Sequence, residues 1–203
     1  MTKKFSIIIL CLALCMGVLL SSCRLNSSNL YETHEFLMGT VIIQKIYHKD
    51  ADKIAKEVND RIAGIESAMT INKSGGEINL LNDAAGKEYV KLGEDTLYVL
   101  NKAKQYGEIS NGAFDVTIGP LVKSWGVFTD NPKVPSKSEI DELLKLVNYK
   151  DINIDFENST AMLSKKGQIV DLGGIAKGFA GDAAIEIYKK YGVESALISL
   201  GGN

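Results

Sequence analysis

Cysteine is scarce in this chain. It has three, Cys11, Cys15 and Cys23. The first two lie inside an apolar run, so whatever follows Cys23 can hold no internal disulfide. Such a segment must rest on an apolar core, and the roughly 180 residues available are enough to bury one. An excess of either charge is also missing. Lys plus Arg number 23 against 25 Asp plus Glu, for a formal net charge of −2, and no basic block occurs beyond the first few residues. That excludes the electrostatic footprint of a nucleic-acid binder. No internal repeat and no low-complexity segment interrupts the chain. Two common phosphate-binding signatures are absent as well: the Gly-Lys-Ser/Thr ending of a P-loop and the three-glycine spacing of a dinucleotide-binding turn.

What is present begins with an export signal. Met1-Thr2-Lys3-Lys4 is a short positive region, and Phe5 to Leu20 is almost uninterrupted apolar sequence. It is a little short for the ~20 residues of a membrane span. The run ends in Leu20-Ser21-Ser22-Cys23, which resembles the lipobox of bacterial lipoproteins. That resemblance implies removal of residues 1–22, lipid attachment at Cys23 and a lipid-anchored product at the cell membrane, facing the exterior or periplasm. Residues 24–33 are polar and small, and read as a tether.

The body alternates elements of both kinds. His34 to Tyr47 is an opening strand, or a hairpin broken near Gly39. Ala51 to Met69 places Ile54, Val58, Ile62, Ile65 and Met69 at helical spacing with charges between them, a long amphipathic helix whose Ile65 and Met69 are core. A loop at 72–76 leads into a short helical turn from Glu77. Tyr89 to Leu92 reads as a strand, and Thr96 to Tyr106 as a helix with Leu97, Leu100 and Ala103 inward, closed by Gly107. An exposed loop at 130–137 precedes a third helix from Ser138 through Val147. Short strands follow around Ile152 to Phe156 and Thr160 to Leu163. Ala196 to Leu200 is an apolar strand of interior type. The expected class is α+β, with mixed or antiparallel sheets flanked by helices.

The chain is organised around Asp171-Leu-Gly-Gly-Ile-Ala-Lys-Gly-Phe-Ala-Gly-Asp182. Gly167 to Leu172 reads as a strand, and apolar residues at 175, 179, 183 and 187 read as the buried stripe of a helix that stops at Gly192. Gly173 and Gly174 then fall where a strand becomes a helix, where free backbone N–H groups and the positive end of the helix dipole receive anions. Lys177, one turn on, adds a point charge. A tight turn whose glycines serve only close packing is the competing reading. In the stretch from Asn111 to Gly126, Asp115 stands in an apolar segment and needs partners, either local backbone to cap or a ligand to hold.

The order of these motifs is more specific than any one of them. Phe36-Leu-Met-Gly-Thr40, Met69-Thr-Ile-Asn72 with Gly76-Glu-Ile-Asn-Leu-Leu-Asn82, Gly112-Ala-Phe-Asp-Val-Thr117 and Asp171-Leu-Gly-Gly-Ile-Ala-Lys-Gly178 together resemble the FAD:protein FMN transferase family, the ApbE-type flavin transferases of bacterial membranes. The resemblance spans residues 36–203 and implies the fold of that family. It also implies a reaction: with magnesium, the FMN half of FAD moves to a threonine hydroxyl of a target protein, an acceptor belonging to membrane redox complexes, and AMP leaves. Carried over by motif, Met38, Ala113, Phe114, Asp115, Asp171 and Lys177 match FAD-contacting positions, and Gly174 matches one whose carbonyl binds magnesium. Asp171 is the candidate catalytic residue, orienting the site or assisting the threonine proton. Asn72 lies where many members carry an aromatic residue over the flavin, a departure from the pattern. An FAD pyrophosphatase giving FMN and AMP, or a lipid-anchored flavin-binding protein without chemistry, are the alternatives. Members of the family continue well beyond the position of Asn203 and supply further magnesium ligands there, an aspartate and a threonine. The resemblance therefore implies a chain ending at Asn203 with an incomplete site, no transfer activity and poor solubility.

Overall fold

The computed structural model describes residues 30–127 and 129–202. The signal, Cys23 and the first part of the tether lie outside the described residues. Strand β1 (Leu30–Leu37) starts four positions before the expected His34, so the last residues assigned to the tether belong to a sheet. It pairs antiparallel with β2 (Thr40–Tyr47), with Leu37 opposite Thr40. Met38 and Gly39 form the two-residue turn with φ of 53° and 70°, the pair of positive angles that matches the twist of a hairpin. β2 also pairs antiparallel with β6 (Ala196–Leu200), giving the order β1-β2-β6. The expected interior strand β6 is hydrogen-bonded along one edge among the described residues, and Leu197 on it is exposed. A second antiparallel sheet has the order β3-β5-β4, from Val90–Lys91, Thr160–Leu163 and Ile152–Asp155. The class is α+β as expected.

Helix α1 (Ala51–Met69) crosses beneath the first sheet. Its residues at steps of four, four, three and four are all buried, together with Ala51 and Ala55. Short α2 (Glu77–Asp83) begins at Gly76, whose N–H donates to Asn79 Oδ1 at 3.2 Å. Helix α3 (Glu94–Ile109) keeps Leu97, Leu100 and Ala103 inward but runs through Gly107 rather than stopping there. That glycine is a contact residue: a Cβ on it would lie 2.6 Å from the Tyr149 ring. α4 (Gly119–Trp125) carries Pro120 in its first turn. α5 (Lys137–Leu144) ends three residues earlier than Val147 and starts one before Ser138. Its cap is Ser136, whose Oγ accepts from Glu139 N at 3.2 Å.

Helix α6 (Ala176–Lys190) packs against α1 and ends in a glycine cap, with Gly192 N–H donating to Lys189 O and Val193 N–H to Tyr188 O, both at 3.0 Å. Its buried stripe is Ala176, Ala180, Ala184 and Tyr188, one position later than expected. Residues 175, 179, 183 and 187 are half-buried. Periodicity gives the period of a stripe and leaves its phase to neighbours, and against the branched side chains of α1 only the alanine face fits. At its end the Tyr188 hydroxyl donates to buried Gln44 Oε1 at 2.8 Å, and Gln44 Nε2 donates to Asn59 Oδ1 and Ala55 O. Burial pushes the Tyr188 phenol well above its ordinary value.

The expected strand at Gly167 to Leu172 starts in a turn, with Gly167 at φ 87°, and lies in neither sheet. On one side it meets the 116–119 loop through a single parallel bridge, Ile118 to Ile169, with Gly119 N–H donating to Ile169 O at 3.1 Å and Asp171 N–H to Val116 O at 2.8 Å. On the other side a side chain takes the place of a strand. The Asn82 amide accepts from Val170 N–H at 2.7 Å and donates to Val170 O at 3.0 Å.

Candidate active site

Two fixed segments hold the glycine turn. Asp171 Oδ1 accepts the Gly173 N–H at 2.9 Å, and Leu172 O accepts from Ile175 and Ala176 N–H at 2.9 and 2.8 Å, closing the chain into α6. No side chain caps the start of α6. The N–H groups of Lys177 and Gly178 have no acceptor among the described residues. Free donors at the positive end of a 15-residue helix make an anion site. Gly173 and Gly174 are exposed, and Lys177 is half-buried one turn on.

The second segment brings Phe114 to the turn. A Cβ on Gly174 would lie 3.2 Å from Phe114 Cε2, so the glycine admits the ring edge to the main chain. Phe114 is held by its own N–H, which donates to Ser110 Oγ at 2.9 Å, and by an edge-on contact with Tyr106 at 6.3 Å between centroids. Ala113 beside it is exposed. Asp115 caps the loop: Oδ1 accepts from Thr117 N–H and Oγ1–H at 2.8 and 2.6 Å, and Oδ2 accepts from Tyr149 N–H at 2.7 Å. Both carboxylate oxygens are thereby engaged, and Asp115 acts on the site by fixing the loop that carries Phe114.

Met38 and exposed Asn72 belong to a different part of the structure, and no hydrogen bond among the described residues joins them to the glycine turn. Packing does connect the two parts. Leu200 Cδ1 lies 3.2 Å from where a Gly181 Cβ on α6 would stand, and a Cβ on the next residue, Gly201, would lie 2.4 Å from Thr40 Oγ1, beside the Met38 turn. With φ of 75°, Gly201 is at a position where only glycine is free of strain.

Among the described residues, no group of three or more His, Cys, Asp or Glu stands where it could hold a metal. Asp171 has one carboxylate oxygen, Oδ2, without a hydrogen-bond partner among these residues, and the Gly174 carbonyl is on an exposed residue. One carboxylate oxygen and one carbonyl fit part of the oxygen shell of magnesium, which takes few protein ligands and completes its coordination with phosphate and water.

A groove of about 1040 Å³ lies elsewhere, between α1, α3 and the half-buried face of α6, lined by Tyr98, Phe156, Phe179 and Ile187 among others. Its ionisable groups are Glu57, Asp60, Glu94, Asp95, Asp182 and Glu186 against Arg61 and Lys190. An acidic majority disfavours a phosphate-bearing ligand, so the uncapped helix start is the better candidate for one.

Asn82 and Glu66 were missed in the sequence as parts of this arrangement. Asn82 stood in a quoted motif, and its one signal was an amide closing an apolar helical turn. Glu66 had none beyond its place among the charged residues of α1.

The profile of the ApbE family matches residues 38–203. The chain belongs to that family. It is similar to the FAD:protein FMN transferase of Klebsiella pneumoniae (strain 342), 31% identical over 179 residues, which are 88% of this chain and 56% of that protein. Similarity to the FAD:protein FMN transferase of Treponema pallidum (strain Nichols) is 28% over 182 residues, 85% of this chain and 50% of that one. Among solved structures, the ApbE protein of Thermotoga maritima superposes with a TM-score of 0.78 at 32% identity, over 84% of this chain and 56% of that chain. The flavin transferase ApbE of Vibrio cholerae shares the fold, with a TM-score of 0.78 at 24% identity. The chain spans about half the length of the curated relatives it matches.

Proposed function

We propose that this member of the ApbE family transfers the FMN moiety of FAD to a threonine hydroxyl of a target protein, releasing AMP in a magnesium-dependent reaction. The observation that carries the reading is the exposed Gly173-Gly174 turn at an uncapped helix start, flanked by Asp171 and an aromatic edge. In the proposed step the threonine oxygen bonds to the FMN-side phosphorus and the bond from that phosphorus to the bridging oxygen breaks. AMP leaves with the bond electrons, and the threonine proton passes to a base, Asp171 or water. Main-chain donors at Gly174, Lys177 and Gly178 receive charge that develops on phosphate oxygens, and Lys177 supplies a further cationic donor. Magnesium, held through the Gly174 carbonyl and Asp171, supplies charge neutralisation at the pyrophosphate when bound. Phe114 offers an apolar edge to the bound dinucleotide.

Incubation of the full-length protein with FAD, magnesium and a threonine-bearing acceptor domain tests this. The expected product is a covalently fluorescent acceptor with one AMP per FMN transferred. Free FMN plus AMP would instead identify a hydrolase, and unchanged FAD a binding protein.

The proposed place of action is the outer face of the cell membrane, with Cys23 lipidated and the acceptors among membrane redox proteins. A Cys23→Ala variant is expected to lose the lipid-modified mature form, read as loss of labelled-lipid incorporation. Unchanged membrane retention with lipid still attached would remove the lipobox from the account.

A further inference from the structure

We infer that Glu66 is a positioning residue for the proposed FAD site, one carboxylate that holds both the Met38 turn and the loop carrying Asn72. The inference rests on the proposed function, with Met38 and Asn72 taken at the flavin-site positions that the family motifs imply for them. Glu66 lies in the last turns of α1, between the buried positions Ile65 and Met69, and its side chain is only 14% exposed. Its two oxygens go to different segments. Oε2 accepts the Met38 N–H at 3.0 Å, from a residue 28 positions earlier, and Oε1 accepts from Lys73 Nζ at 2.9 Å, in the residue after Asn72. Desolvation would raise the Glu66 carboxyl, but the Met38 N–H and the Lys73 ammonium outweigh it and hold it below the ordinary glutamate value.

The conformation of Met38 gives a second, independent reason. Met38 sits at the first central position of a turn in which both central residues have positive φ, where Asn, Asp or Gly would be free of strain. A methionine held at φ 53° is an outlier that the surroundings must enforce. The one described side chain that grips its backbone is Glu66. The two ties are unequal in kind. The Met38 bond is a partly buried, charge-assisted hydrogen bond, whereas Lys73 is 70% exposed and its pair with Glu66 is open to screening by salt.

The test uses the full-length protein with Glu66→Ala, Glu66→Gln and Lys73→Met, reading amide hydrogen exchange and FAD affinity in each. Glu66→Ala is expected to speed exchange at the Met38 amide and to weaken FAD binding, each by about tenfold, as the loss of one charge-assisted bond would. Glu66→Gln keeps an acceptor for Met38 and is expected to restore most of both. Lys73→Met is expected to loosen residues 70–76 and leave the Met38 amide protected. Unchanged exchange at Met38 in Glu66→Ala would overturn the tether. Faster exchange with unchanged FAD affinity would overturn its link to the site. If the wild-type protein binds no FAD, the proposed function falls, and the assignment of Glu66 to that site falls with it.

Discussion

Replacing Asn82 with Leu is expected to destabilise the protein by about 2–6 kcal/mol, because it strands two buried backbone groups at once. Val170 is fully buried, and both its N–H and its carbonyl are satisfied by the Asn82 amide, at 2.7 and 3.0 Å. Leucine matches asparagine roughly in size but offers neither donor nor acceptor, and no neighbouring strand stands ready to replace them. Each orphaned group costs about 1–3 kcal/mol. The urea midpoint should fall in proportion while the slope of the transition stays the same. An unchanged midpoint would mean that water or a local shift satisfies Val170 and that Asn82 does not hold the segment. The same variant should raise the FAD concentration needed for half-saturation, since Val170 is one residue from Asp171.

The elements most legible in the sequence were those whose signals are local. α1 announced itself because five apolar residues recur at helical steps with charges between them, and all five are buried. The hairpin was legible as a break at Gly39, and the end of α6 as Gly192. Failures came where the deciding partner is distant. Gly167 to Leu172 has the apolar content of a strand, but its partners are an irregular loop and one amide 88 residues away, which no local pattern encodes. The stripe of α6 was misphased by one residue because larger side chains at 175, 179 and 187 outweigh alanines on any hydropathy count, whereas close packing against α1 selects the alanines.

At the site the same division holds. The two glycines at a helix start were legible from spacing, and the structure places them with Asp171 and Phe114. Asp115 was left between two readings, and its hydrogen bonds to Thr117 and Tyr149 supply the backbone-capping one. Only the Thr117 half of that arrangement is local enough to be read ahead. Glu66 looked like part of the solvated face of α1, since nothing near it in sequence hints that its carboxylate reaches back to Met38.

Asp171→Asn is expected to reduce the magnesium-dependent transfer rate by about 100-fold or more while shifting the unfolding free energy by less than about 1 kcal/mol. The two effects separate because the carboxylate has two oxygens with different tasks. Oδ1 accepts the Gly173 N–H at 2.9 Å and shapes the turn, and an asparagine Oδ1 accepts that bond equally well. Oδ2 has no partner among the described residues, and the amide removes its negative charge. Asp171→Ala is the companion variant. It loses the turn bond as well and should cost about 1 kcal/mol more in stability. If Oδ2 takes the threonine proton, the rate falls in Asp171→Asn while the magnesium concentration for half-activation holds. If Oδ2 binds the cation, that concentration rises instead and excess magnesium recovers part of the rate. Parallel losses of melting temperature and rate in both variants would reduce Asp171 to a structural cap and remove it from the chemistry.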